Sequence, residues 1–292
     1  MTDFIRRFHF SDSPVRGEVV KLADTLTAIL ERHAYPARVQ ELLGEAVAAA
    51  VLLASTLKFE GSLILQVRGD GPLETLMVEC NNHLEVRAVA QVAEGWGDQF
   101  ADMSLSTLFG NGQLTITIDP EKGERYQGIV PLGESSLEAC LEYYFVQSEQ
   151  LPTRLWLVAG VDTAAGMLLQ VLPGHDDSED EDIWPRLQQL TDTVKADELL
   201  DLPVNELLYR LYHDEQVELH EVNDVCFRCN CSRERTESVL ISLGEAELND
   251  ILAEQGSIDI TCQFCNQEYR FDSIDVAQML HGRSDEFGGV LH

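Results

Sequence analysis

The sequence is short of positive charge. Its 292 residues include 20 lysines and arginines against 51 aspartates and glutamates, which gives a formal net charge of −31 at pH 7. A surface this acidic repels the phosphate backbone of nucleic acids and the headgroups of anionic lipids. The composition therefore argues against general binding to nucleic acid or to a membrane surface.

The sequence also lacks a long hydrophobic run and a secretory signal. Its longest apolar stretch, residues 46–54, falls short of the ~18 residues that a membrane-spanning helix requires. The N-terminal segment MTDFIRRFHFSDSP has neither a continuous apolar core nor a small-residue cleavage site. We therefore expect a cytoplasmic protein, in a compartment that keeps thiols reduced.

Motifs of nucleotide-binding and hydrolytic enzymes are missing as well. The chain contains no P-loop, no GxSxG nucleophile elbow and no HExxH metalloprotease motif. These absences predict a protein that is not an enzyme and that does not depend on ATP.

Apolar residues make up 45% of the chain, enough for about two globular domains. For residues 1–174 the pattern predicts an α+β domain, in which an antiparallel sheet carries helices on one face. Helical spacing marks residues 19–31, 36–57 and 136–150. Strand-like runs occupy residues 63–67, 84–92, 113–119, 154–160 and 166–172.

Residues 175–224 read as an acidic linker, with sixteen acidic and three basic residues. The linker opens with a charge run at 175–182 that resists compaction, and Pro203 stands where a later helix can begin. Two apolar helical faces follow the charge run: Trp184, Leu187, Leu190 and Val194, then Leu200, Val204, Leu207, Leu208 and Leu211. The segment is either a pair of surface helices between two domains or a marginal helical linker that is released on demand.

Residues 225–292 form a small module after a strand-like run at 217–222. Its pattern predicts a helix at 244–256, a hairpin at 257–271 with its turn at cysteines, and a helix at 273–280. So small an apolar core needs an additional staple, such as a metal ion.

The seven cysteines are candidate ligands for such a stabilising metal ion. An odd number of cysteines in a reducing compartment favours metal binding or redox chemistry over a disulfide framework. Cys80 and Cys140 stand alone in apolar surroundings and are predicted to be buried as small hydrophobic residues. The other five cysteines crowd into the last quarter of the chain: Cys226, Cys229, Cys231, Cys262 and Cys265.

Two close cysteine pairs separated by a module-length stretch indicate a zinc site, because four thiolates complete a tetrahedral shell. Spacing alone leaves the first pair open. It is either Cys226 with Cys229, the wider spacing that zinc ribbons favour, or Cys229 with Cys231.

The site also has two possible roles. Most four-cysteine zinc sites are closed and purely structural. Four arginines near these cysteines instead favour a reactive site, because positive charge lowers the pKa of a thiol. They are Arg228, Arg233, Arg235 and Arg270.

The cysteine pattern resembles that of the heat-shock protein 33 (Hsp33) family, the oxidation-activated bacterial chaperones. The resemblance rests on CxC at 229–231, SRER at 232–235 and CxxC at 262–265. The N-terminal half is similar too, at GDGPL (69–73), GQLTITID (112–119) and YYFVQSEQLPTR (143–154). The resemblance covers nearly the whole chain.

The resemblance implies an ATP-independent holdase that protects thermally unfolding and oxidatively damaged client proteins. Its ligands for one Zn²⁺ per chain would be Cys229, Cys231, Cys262 and Cys265. The reduced, zinc-bound form would be inactive, and oxidation would release zinc, form the disulfides Cys229–Cys231 and Cys262–Cys265, and favour a homodimer. Cys226 departs from the family pattern, which has another residue at that position.

Two other function classes remain as alternatives. One is a zinc-ribbon interaction module on an acidic adaptor protein. The other is a thiol oxidoreductase, which fits less well. A strand-like segment, NQEYRF at 266–271, follows the CxxC pair, whereas a thioredoxin-type site places its reactive cysteine at a helix N-terminus.

Overall fold

The computed structural model describes residues 3–11, 13–56, 58, 60–95, 100, 103–133, 136–173, 180 and 182–287. The chain forms two compact units, Met1–Arg228 and Cys229–His292. Both contain helices and strands, so the expected α+β class is confirmed. The division by role into residues 1–174, 175–224 and 225–292 stays a prediction.

The first unit is built on two sheets. Sheet A has the strand order β10-β1-β2-β9-β8, and every neighbouring pair in it is antiparallel. Its strands are β1 (Phe4–Phe10), β2 (Val15–Leu22), β8 (Thr153–Ala159), β9 (Ala164–Val171) and β10 (Val217–Asp224).

Sheet B has the strand order β11-β5-β4-β3-β6-β7. Its strands are antiparallel except for the pair of β11 and β5. They are β3 (Gly61–Arg68), β4 (Leu73–Asn81), β5 (Glu85–Val92), β6 (Gln113–Pro120), β7 (Tyr126–Pro131) and β11 (Cys226–Phe227).

Helix α2 (Ala37–Ala54) lies between the two sheets and explains why there are two of them. Thirteen of its 18 residues are buried, and residues 46–54 of its C-terminal half are apolar on all sides. The approach to sheet A is close: a Cβ added at Gly44 would lie 2.8 Å from the Cβ of Ala159. The pattern predicts one sheet with helices on one face. The structure instead has two sheets, and α2 packs between them.

Three shorter helices complete this interior. They are α1 (Asp24–Leu30), α3 (Leu105–Phe109) and α4 (Leu137–Tyr144), and α4 continues into one π-helical turn, Phe145–Glu149. The predicted helices at 36–57 and 136–150 are therefore confirmed within the described residues.

The predicted helix at residues 19–31 is wrong in its first part, because residues 19–22 belong to β2. The reason is that sheet A is covered on both faces. Val19 packs on one face and Val20 on the other, and both are fully buried. A strand buried on both faces loses the polar–apolar alternation by which strands are recognised.

The linker residues lie in the first unit as three helices and strand β10. The helices are α5 (Ile183–Thr191), α6 (Ala196–Asp201) and α7 (Val204–Tyr212), and α7 begins after Pro203 as predicted. Both predicted apolar faces enter one apolar cluster on the outer face of sheet A. The charge run at 175–182 lies outside the described residues, apart from Asp180 and Asp182.

The second unit contains three helices and a two-stranded sheet. Its elements are α8 (Arg233–Leu243), α9 (Glu245–Gln255), β12 (Ile258–Thr261), β13 (Glu268–Phe271) and α10 (Ser273–Phe287). The predicted helix at 244–256 and the hairpin are confirmed, whereas α8 was not predicted. Helices α8 and α9 meet at Gly244, whose φ of 97° favours glycine.

None of the helices in the described part of the chain is long and apolar enough to span a membrane.

Candidate metal centre

Cys262 and Cys265 lie in the tight turn between β12 and β13. The turn is closed by two backbone hydrogen bonds: the N–H of Cys262 donates to the carbonyl of Gln267 at 2.9 Å, and the N–H of Asn266 donates to the carbonyl of Cys262 at 2.8 Å. Asn266 has a φ of 57°, in the left-handed region that asparagine tolerates better than most residues. Local sequence therefore suffices to place this CxxC pair in a turn.

Cys229 and Cys231 lie in an irregular segment directly before α8. Ser232 ends this segment because its hydroxyl accepts the N–H of Arg235 at 3.2 Å and caps the helix.

The structure brings these four thiols into one group. The sulfur atoms of Cys229, Cys231, Cys262 and Cys265 all lie within 4.8 Å of one another. The Sγ atoms of Cys229 and Cys262 are 3.7 Å apart, and those of Cys231 and Cys265 are 3.4 Å apart. A tetrahedral ion with Zn–S bonds of ~2.3 Å places its sulfurs about 3.8 Å from one another, so the group fits such an ion.

The thiols differ in acidity. Partial burial acts to raise the pKa of Cys229, but hydrogen bonds from the Cys231 backbone and the neighbouring thiols outweigh burial and lower the pKa to about 7. Burial raises the pKa values of Cys262 and Cys265. Like charges this close repel, so a cation is what allows all four thiols to ionise together.

A tyrosine contacts the group from β13. The hydroxyl of Tyr269 donates to Sγ of Cys231 at 3.1 Å. This hydrogen bond is the main cause that raises the pKa of Tyr269 to about 12, so the phenol keeps its proton at neutral pH. Tyr269 was not a predicted site residue. It pairs with Ile260, two residues before Cys262, and that strand register is the signal that could have identified it.

Two of the four arginines near the cysteines, Arg233 and Arg270, form ion pairs with acidic side chains of the second unit. Arg233 pairs with Asp275 at 2.9 Å and with Glu237 at 3.2 Å, and its guanidinium lies 4.3 Å from the ring centre of Phe271. Arg270 lies 3.6 Å from Asp259. Hydrogen bonds among the cysteines, rather than arginine charge, are the leading causes that lower the pKa of Cys229.

Cys226 lies in the first unit, on β11. It stands opposite Glu85 of β5 and is exposed. Burial, followed by the negative charge of Glu85, raises the pKa of its thiol. The four-thiol group consists of the CxC and CxxC cysteines, so of the two pairings that spacing left open the structure assembles Cys229 with Cys231. Cys80 and Cys140 are buried, as predicted.

A second region of interest is the outer face of sheet A beneath the linker helices. We call it the docking face; its residues are Phe8, Phe10, Val15, Val19, Ala165, Met167 and Leu169. Eight linker side chains are buried with it in one cluster: Ile183, Leu187, Leu199, Val204, Leu207, Leu208, Leu211 and Tyr212. Trp184, Leu190, Val194 and Leu200 pack at its margin.

Polar contacts also hold the linker on sheet A. Asp192, at the C-terminal end of α5, accepts hydrogen bonds from Nε1 of Trp156 at 3.0 Å and from Arg154 at 3.2 Å. Lys21 of β2 donates to the carbonyl of Leu199 in α6, and burial lowers the pKa of this lysine to about 8. The docked linker therefore keeps polar groups on sheet A partnered as well as covering apolar ones.

The acidic charge of the linker is partly compensated. Arg186 bonds to Asp180 at 2.6 Å and to Glu215 at 2.7 Å. Arg210 bonds to Glu206 at 2.7 Å and to Glu198 at 3.1 Å. These pairs engage two of the three basic residues among sixteen acidic ones, so most of the negative charge of the segment is left to repel itself.

The chain is similar to known proteins along most of its length. The family model described as Hsp33 protein matches residues 3–272. The 33 kDa chaperonin of Ectopseudomonas mendocina (strain ymp) is 51% identical over 291 residues, which cover 98% of each chain. The 33 kDa chaperonin of Shewanella sediminis (strain HAW-EB3) is 49% identical over 275 residues and 94% of each chain.

A solved structure has the same fold. The crystal structure of a 33 kDa chaperonin, a heat-shock protein 33 homologue from Thermotoga maritima, matches with a TM-score of 0.81. The match covers 97% of this chain and 99% of the other at 22% sequence identity. At that identity the likeness bears on the fold alone.

Proposed function

The chain belongs to the Hsp33 family of chaperones, and on that premise we propose that it is a redox-regulated, ATP-independent holdase. Its clients would be proteins that unfold thermally or are damaged by oxidation. The observation that carries the proposal is the group of four thiols within 4.8 Å of one another.

In the reduced state, Cys229, Cys231, Cys262 and Cys265 would hold one Zn²⁺ per chain. The bound ion would supply ligand bonds that the second unit needs to stay folded. Among the residues of the second unit whose side chains the structure describes (229–280), six apolar ones are buried: Leu240, Leu248, Ile258, Phe271, Val276 and Met279. So small a core supports the view that the site contributes stability as well as reactivity.

Oxidation would convert the four thiolates to the disulfides Cys229–Cys231 and Cys262–Cys265. Each disulfide forms when two thiolates give up two electrons to hydrogen peroxide, which leaves as two hydroxide ions. The sulfurs would then no longer serve as thiolate ligands, so the second unit would lose the ligand bonds that the ion would supply.

Release of the linker would follow. The docking face and the linker bury several leucines and aromatic residues, each contributing about 1.5–3 kcal/mol before the cost of ordering the chain. Repulsion among the sixteen acidic residues opposes docking, so its net stability is small and sensitive to heat. The exposed docking face would then bind clients and a second subunit, which gives residues 1–174 the chaperone role and residues 225–292 the switch role.

The test is light scattering of a thermally aggregating client protein. We expect the reduced, zinc-loaded protein to leave aggregation unchanged and peroxide with mild heat to convert it into a suppressor, with or without ATP. An adaptor protein would not respond to peroxide. An oxidoreductase would instead oxidise or reduce added dithiols catalytically, and either result would refute the holdase assignment.

A further inference from the structure

A cleft of about 270 Å³ lies in the first unit at the C-terminal end of α2, where residues of both sheets line it. Since a water molecule occupies about 30 Å³, the cleft has room for a ligand of about ten non-hydrogen atoms. Its apolar lining comes from α2, from sheet B and from the segment that follows α4: Leu53, Leu63, Ile116, Ile118, Phe145 and Leu151.

The guanidinium of Arg16, on β2, reaches this cleft from sheet A. Its Nη2 donates to Oε1 of Gln170 at 2.6 Å, whereas its Nε is buried and has no hydrogen-bond partner among the described residues. Glu18 of the same strand pairs with Arg7 at 3.1 Å and accepts the hydroxyl of Ser55. Burial lowers the pKa of Arg16, and the charge of Glu18 opposes this shift. Arg16 is therefore a desolvated cation with one unused donor.

A second cation, Lys58, lines the cleft from the exposed segment after α2. In the part of the chain that the structure describes, neither Lys58 nor Arg16 forms an ion pair with a carboxylate, although acidic residues outnumber basic ones by 51 to 20. Glu149 also lines the cleft, and its carboxylate accepts the hydroxyl of Tyr144 at 2.6 Å. Two cations and one carboxylate give the lining a net charge of +1, which suits a singly charged anion better than a phosphate dianion.

We propose that this cleft binds a short aliphatic carboxylic acid of about eight carbons, and that Arg16 holds its carboxylate. The carboxylate accepts the unused N–H of Arg16 in a charge-assisted hydrogen bond, and Lys58 adds attraction from its exposed position. The aliphatic chain covers apolar lining that water would otherwise contact. A ligand placed here contacts both sheets, so it stabilises the first unit as its occupancy rises.

The test is isothermal titration calorimetry of the reduced full-length protein with sodium octanoate at neutral pH. We expect about one octanoate per chain, bound with a submillimolar dissociation constant. Two matched compounds separate the contributions: 1-octanol keeps the chain without the charge, and acetate keeps the charge without the chain. Octanol should bind at least roughly tenfold more weakly, since it leaves the buried cation unpaired, and acetate should give no detectable binding.

A charge reversal tests whether octanoate binds in this cleft. Lys58→Glu should weaken octanoate binding roughly tenfold, because it replaces attraction by repulsion at short range. Lys122→Glu is the matched control, since Lys122 is also exposed, lies outside the cleft and changes the net charge by the same amount. Arg16→Gln should weaken binding roughly ten- to hundredfold. If Arg16→Gln does not fold, Lys58→Glu alone decides.

Three results would overturn the proposal. The first is that octanoate does not bind in the millimolar range. The second is that octanol binds as tightly as octanoate, which would make the cleft an apolar cavity without an anion site. The third is that Lys58→Glu and Lys122→Glu bind octanoate equally well, which would place the ligand elsewhere on the protein. None of these results bears on the holdase proposal, which depends on the four thiols of the second unit.

Discussion

The two units are stabilised in different ways. In the first, α2 lies between two sheets with thirteen of its 18 residues buried, and the interior continues on both sides of it. In the second, six buried apolar side chains among described residues 229–280 form the core shared by helices α8, α9 and α10 and the hairpin. Apolar burial can account for the first unit by itself, whereas so small a core in the second unit supports our proposal that an ion held by its four thiols adds to its stability.

In the way it is stabilised, the linker is intermediate between the two units. It shares a continuous apolar cluster with sheet A, yet it carries sixteen acidic residues. A segment with a good apolar face and unfavourable charge is one that a modest perturbation can detach. We therefore expect the second unit to unfold when its metal is removed, the linker to detach under a modest perturbation, and the core of the first unit to remain folded.

Removing the metal should have the largest effect on the difference in stability between the two units. Chelating zinc from the reduced protein should unfold the second unit and spare the first, since structural zinc contributes on the order of 10 kcal/mol to such small modules. Hydrogen exchange followed by mass spectrometry should show loss of protection in β12, β13 and α8, with α2 still protected. Reloading with zinc is the control. A second unit that remains protected without metal would show that its six-residue core is sufficient.

Weakening the linker contact should have the next largest effect. Leu207 and Leu211 are 1% and 7% exposed, and replacing both with serine should cost about 3 kcal/mol at each site. The reduced double variant should therefore suppress client aggregation to some extent without peroxide, as measured by light scattering. Tyr209→Ser on the same helix, where the side chain is 71% exposed, should stay inactive. Activity that remains strictly dependent on peroxide would show that the docked linker is not what keeps the reduced protein inactive.

Local patterns predicted much of the candidate site. The CxxC turn, the hairpin and the amphipathic linker helices depend on residues close in sequence, so spacing and periodicity were enough to find them. The residues of the four-thiol group were implied by the family resemblance. Its assembly joins segments more than thirty residues apart, a distance at which pattern alone cannot choose between Cys226 and Cys231.

Long-range packing accounts for what was missed. The pattern at residues 19–22 predicts a helix although these residues belong to β2, because α2 covers one face of that strand and the linker helices cover the other. The pairing of β1 with β10 joins residues about 200 positions apart and gives no local signal. For Tyr269, the hairpin register alone indicates that it lies near the cysteines, and its contact with the sulfur of Cys231 has no signal in the local sequence.

A pH-dependent effect should distinguish the first unit from the second. Burial, followed by the negative charge of Glu138, raises the pKa of Glu45 in α2 to about 7. Glu41 adds to this increase and Arg38 opposes it. A carboxyl whose pKa is raised by folding stabilises the fold below its unfolded value of 4.5, and this stability is lost as the pH rises through 7.

Glu45→Gln should therefore stabilise the first unit by about 1–2 kcal/mol at pH 8 and have little effect near pH 4.5. All three tryptophans lie in the first unit, so tryptophan fluorescence during urea unfolding of the full-length protein reports on that unit. The exposed Glu31, replaced by glutamine, is the control. An equal gain at both pH values would mean that packing, not ionisation, is responsible.

The smallest effect is expected at Cys226. Its thiol is exposed on β11 of the first unit, and the four sulfurs that a tetrahedral ion needs are already grouped without it. Cys226→Ser should therefore leave zinc at one per chain, measured as metal released when the thiols are titrated with a mercurial. Cys229→Ser, its neighbour in the CxC pair, should lower zinc content or affinity under the same conditions. If instead Cys226→Ser loses zinc and Cys229→Ser retains it, Cys226 is a ligand and the ligand set is wrong.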